Sequence, residues 1–208
     1  MRQPLSRILY SALLVLAVGG VHAFANENQM PLAGPATMLP GPKVRCSPRG
    51  APAEPLDPPA TSAVPGQEKF VAGKHFKENI SPGAEVRISW LGATFMRLFA
   101  AKVEDDTDDV TLQTYVLSGP SGDTQIIAEL DDHAETELAD LWCLLERQAN
   151  GEDGALQTDA VPNVFFVRDI TGALGAVDAI WAGAGWEIEA SQVNAKRQWP
   201  SGSRVISR

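Results

Sequence analysis

VFFVRDI (164–170), LGAVDAIWA (174–182) and WEIEA (186–190) decide the reading of this chain. Three short segments rich in Val, Ile, Phe and Trp are parted by Thr171-Gly172 and by Gly183-Ala184-Gly185, the pattern of strands joined by tight glycine turns. Strands joined this way lie antiparallel and form a meander. In the third segment Glu187 and Glu189 alternate with Trp186, Ile188 and Ala190, which predicts one buried and one solvated face.

Upstream, Ala84 to Leu91 also alternates, with Val86, Ile88 and Trp90 on one side and Glu85, Arg87 and Ser89 on the other. Phe95 to Val103 is read as a strand, because Asp105-Asp106-Thr107-Asp108 then closes a hairpin onto Val110 to Leu117, although Phe95, Leu98 and Phe99 would also suit a helical turn. Gly119-Pro120-Ser121-Gly122 marks a further turn before a strand through Ile126, Ile127 and Leu130. The segment from Asp132 to Ala149 predicts a helix, with Asp132 as cap, Glu135 three residues on, and Asn150-Gly151 as exit. A last short strand runs through Val205 and Ile206. Strands, one helix, then strands again predict an α+β fold: a mainly antiparallel sheet with one central helix packed on it, or alternatively a β-sandwich with an inserted helix.

Residues 68–208 have the composition of a single domain with one hydrophobic core. Ahead of them, ten of the 15 prolines fall between Pro31 and Pro65, so residues 26–67 read as an extended or disordered tail, a spacer in preference to a Pro-rich docking peptide. Residues 1–25 read as a cleavable signal peptide. Arg2 and Arg7 precede an apolar run from Ile8 to Val21 that is too short to span a bilayer, and Ala23-Phe24-Ala25 offers the small-x-small cleavage site. Removing Arg2 and Arg7 with that segment leaves 15 basic against 26 acidic residues, a formal charge of −11. Such a surface repels nucleic acid and anionic lipid, so neither is an expected partner, and no stable membrane anchor remains after cleavage.

Export puts Cys46 and Cys143 in a compartment that permits disulfides, and with no third thiol the simplest pairing is one bridge. The helix stripe is Ala134, Leu138, Leu141, Trp142, Leu145 and Ala149, which points Cys143 outward, where the tail carrying Cys46 can be clipped to it.

Catalytic residues are scarce. Only His75 and His133 survive maturation, and no phosphate loop, CxxC pair or HExxH helix is present, so the sequence predicts no cofactor, no metal and no catalytic set. Gly119-Pro120-Ser121-Gly122 lacks the GxSxG spacing of a serine elbow. His133 and Glu137 stand four apart but supply only two ligands, and the acidic run from Glu104 to Asp109 lacks the glycine and terminal glutamate of a calcium loop. Trp90 and Trp142 fall on predicted core faces. Trp186 and Trp199 flank Gly- or Pro-containing turns and are the expected binding residues. The expectation is a non-enzymatic protein-binding module, periplasmic or secreted, whose partner is another envelope or extracellular protein. The alternatives are a glycan or small-ligand binder, and a hydrolase built on Asp169, Asp178, Glu187 or Glu189.

Overall fold

A computed structural model describes residues 34–46, 69–105, 110–194 and 196–208, all within one compact unit that begins at Ala33. The first half carries β1 (Met38–Cys46), β2 (Phe70–Val71), α1 (Ala72–His75), β3 (Ile88–Leu91), α2 (Ala93–Leu98), β4 (Val103–Glu104), β5 (Val110–Leu117), β6 (Ser121–Gly122) and α3 (Asp123–Leu130). A 3-10 turn (Asp131–His133) leads to β7 (Glu135–Thr136), α4 (Leu138–Arg147), β8 (Asn163–Arg168), β9 (Leu174–Trp181), β10 (Trp186–Gln192), β11 (Gln198–Trp199) and β12 (Arg204–Ser207).

The main sheet runs β1-β5-β12-β8-β9-β10-β3, with β7 also paired to β8. It is mostly antiparallel; β12 with β8, β7 with β8 and β10 with β3 are the parallel pairs. Alternation along its central strands sends side chains into two cores. Phe165, Val167, Val177, Ala179 and Ile206 pack on one face with α4, while Val164, Phe166, Ala176 and Val205 pack on the other with Ile126 and Leu130 of α3. β8 is therefore buried on both sides, which is why VFFV reads as a continuous apolar run.

The α+β class and the large, mostly antiparallel sheet agree with the sequence, and so does the meander, now β8-β9-β10. The single central helix does not hold, because each face has its own helix. The apolar stripe assigned to one long helix is shared between them: Ala134 lies in the α3-side core and Leu138 in the α4-side core. The chain passes from one face to the other through β7, whose Glu135 and Thr136 pair with Phe166 and Val167, so helix cannot begin before Leu138. The expected cap, Asp132, is replaced. Glu104 accepts the Leu138 and Ala139 amides at 2.8 and 2.9 Å, and Asp140 accepts the Glu137 amide at 2.9 Å.

Two expected strands are helices. Phe95 and Phe99 sit one turn apart in and after α2, both fully buried, and Ile126 and Leu130 do the same in α3. Their spacing of four is the helical one.

Residues 38–46, expected to belong to the proline tail, form edge strand β1, antiparallel to β5. Pro40 and Pro42 are accommodated because an outermost strand needs ladder donors on one side only, and a register shift between Pro40 and Lys43 absorbs them. At that shift Thr114 Oγ1 donates to the Pro42 carbonyl at 2.9 Å. Residues 26–33 and 47–67 of the expected tail lie outside the described residues, as does the expected signal peptide. Cys46 and Cys143 are disulfide-bonded, as expected, but the bridge is internal: Cys46 is fully buried and Cys143 nearly so. Eight consecutive residues of α4, Leu138 to Leu145, are buried, so this helix has no outward face at Cys143 for the stripe to leave free.

Candidate functional site

The α3-side core stops short of one end of the sheet. Asp123, in the first turn of α3 and fully buried, accepts the Trp199 Nε1–H at 2.7 Å and the Asn194 amide at 2.9 Å, which fixes both residues against α3. Arg197 lies with its guanidinium carbon 3.7 Å from the centre of the Trp199 ring, donates to Asp178 at 2.9 Å, and also bonds Ser191. Beyond this clasp β9, β10 and β3 carry side chains that nothing described covers.

A β-bulge sets what stands there. Trp186 is the register partner of Ile88, but Glu187 partners Trp90 and Ile188 partners Leu91, so Ser89 is an extra residue. Ile88 and Leu91 consequently both face the α4-side core, and Trp90 is turned to the opposite face, where it is 43% exposed. Its assignment to the core is corrected on this ground. Glu187 also faces Ile180 across β9, giving a row Ile180, Glu187, Trp90 with neighbouring strands about 4.8 Å apart. Glu189 follows two residues on, on the same face, beside Gly92: a Cβ placed at Gly92 would lie 3.2 Å from both Glu189 Cγ and Trp90 Cη2. Among the described residues Glu187 and Glu189 have no cationic partner, whereas Glu104, Glu135, Glu137, Asp140 and Asp178 are each ion-paired.

The tryptophans expected to bind are elsewhere. Trp186 is fully buried, edge-on to Trp181, and donates to the Gln148 carbonyl at 2.9 Å; Trp199 is 2% exposed under Arg197. Neither offers a ring face to a ligand. The proposed carboxylate set does not converge in a cleft. Asp169 forms a turn with Thr171 and Ala173, and the Thr171 hydroxyl holds it below the usual aspartate range. Asp178 is the register partner of Glu189 but is buried and clasped by Arg197; burial, against that arginine, pushes its carboxyl up.

His133 and Glu137 do not share a helix face. His133 belongs to the 3-10 turn and its carbonyl accepts the Arg208 amide, while Glu137 is ion-paired to Arg208 at 2.6 Å. Glu104 is a helix cap bonded to Lys102 at 2.8 Å, and residues 106–109 lie outside the described residues. Among the described residues no group of three or more His, Cys, Asp and Glu side chains is placed to hold a metal, and no helix is long and apolar enough to cross a membrane. A shallow cavity of about 280 Å³ lies at the end of β12, between Asp153, Leu156, Thr158, Asp159 and Arg204. Arg204 is occupied there, donating to the Gly154 and Ala155 carbonyls.

Comparisons with protein-family models, with curated proteins and with solved structures find no match to this chain.

Proposed function

We propose that this chain is an exported, non-enzymatic module of the periplasm or the secreted fraction that binds another envelope or extracellular protein on the open β9-β10-β3 half of its sheet. One observation carries the reading: the bulge at Ser89 turns a large aromatic out of the core and sets it beside two carboxylates without a cationic partner, on a face that no other described residue covers. A buried Trp90 would have stabilised the α4-side core, so its outward place gives up burial that the fold had within reach. Half-exposed tryptophan is the residue type most enriched at the centres of protein interfaces. The poverty of convergent ionisable groups argues against catalysis as the use of this face.

The test has two stages. The N-terminus of the protein purified from the cell envelope is read by mass spectrometry; a start at Asn26 supports export, and retention of Met1 removes it. A photo-crosslinking residue is then placed at Glu187, the captured protein is purified, and its affinity is measured. Trp90→Ala is expected to weaken binding about tenfold or more, and Thr171→Ala, at an exposed turn, to leave it unchanged. Equal affinity in all three proteins would sink the reading.

A further inference from the structure

The chemistry of the open face also specifies what it holds, granted that it is a docking face. We propose that the occupant is an extended segment of the partner carrying lysine or arginine at alternate positions, its cationic side chains lying along Trp90 and ending on Glu187 and Glu189.

Three observations lead to this. Glu187 stands between an aliphatic side chain, Ile180, and an aromatic one, Trp90, in adjacent strands of one face. A lysine or arginine has the matching build, an apolar stem that packs on hydrocarbon and a charged head that needs a carboxylate. Next, Glu187 and Glu189, which have no cationic partner among the described residues, are residues i and i+2 of β10, which places them about 7 Å apart, the repeat of alternate side chains in an extended peptide. The fold supplies cations to the buried Asp178, Glu104 and Asp140 and to Glu137, yet none among the described residues to these two on the open face. Finally, an exposed indole attracts cations through its ring face. Arg197 over Trp199 makes that same contact 3.7 Å from the ring centre within the covered half of this sheet face. The acidic balance of the chain, 26 acidic against 17 basic residues, adds long-range attraction for a basic segment.

Synthetic peptides test the occupant directly on the intact mature chain. One has Lys at alternate positions separated by Thr, a second the same composition with the Lys residues adjacent in a block, and a third Glu in place of Lys. Titration calorimetry at low and at physiological salt is expected to show the alternating-Lys peptide binding most tightly and the Glu peptide not at all. The Glu187→Gln/Glu189→Gln variant, isosteric and on the solvent side of β10, is expected to weaken it by about tenfold or more, and Trp90→Phe to retain more affinity than Trp90→Ala. Equal binding by the double variant would overturn the cationic occupant. So would preference for the blocked peptide, or a β-glucan oligosaccharide binding at Trp90 irrespective of the two carboxylates. If no Lys peptide binds while the crosslinked partner still depends on Trp90, the docking face stands and the cationic occupant falls; if the partner ignores Trp90, both fall.

Discussion

Trp199 and Trp90 show how two residues of one type divide between structure and display. Trp199 fills the α3-side core and satisfies its indole N–H on Asp123, so Trp199→Ala removes packing and leaves a buried carboxylate short of a donor. A loss of about 3–5 kcal/mol is expected from urea denaturation. Trp90→Ala is expected to cost less, about 1 kcal/mol, because the ring is already 43% exposed. Asp178 gives a prediction in pH. Burial raises its carboxyl despite Arg197, so its proton is held more tightly in the folded than in the unfolded chain. Its contribution to stability is therefore fully present below the ordinary aspartate value of about 3.9 and is lost as the pH rises through the raised one. Glu137 and Glu146 are raised as well, mainly by burial, and act in the same direction. Asp169, held low by Thr171, acts oppositely and only below the ordinary value. Asp178→Asn fixes the neutral form. The rise in Tm that these groups produce on acidification from neutral pH should be shallower in that variant, and superimposable profiles would show that Asp178 ionises like a surface carboxylate.

At the level of elements, α4 depends on a residue far away in sequence. Glu104 satisfies two of its first amides, so Glu104→Ala leaves those donors and the largely buried Lys102 without their partner. About 1–3 kcal/mol should be lost, read as a lower Tm. No local motif announces this cap, because its 34-residue separation from Leu138 exists only after folding. The strands of the meander were legible for the opposite reason, since β-branched and aromatic runs with glycine turns between them are self-contained signals. The bulge was not. Val86, Ile88 and Trp90 alternate without a break, and only the register against β10 discloses the extra residue. The open face was hidden with it, and the sequence points to Trp186 and Trp199 in its place because a neighbouring turn reports on backbone and not on what covers a side chain. The Asp132–Ala149 stripe misled similarly: its period is helical throughout, but the pairing of Glu135 and Thr136 with β8 outweighs the local preference.

The whole molecule is fastened by covalent and topological means. The Cys46–Cys143 bridge spans 97 residues and ties edge strand β1 to α4. Replacing both cysteines by serine should cost about 2–5 kcal/mol, seen as a lower urea midpoint, with the β1-β5 ladder still able to form. The place of β12 has a different kind of consequence. Residues 204–207 occupy the middle of the sheet, between β5 and β8, and among the described residues they are the strand that hydrogen-bonds the β1-β5 pair to the β8-β9-β10-β3 group. Until residues 204–207 are in place the two half-sheets have no common strand, so each keeps an inner edge of unsatisfied backbone groups that only this distant segment can cover.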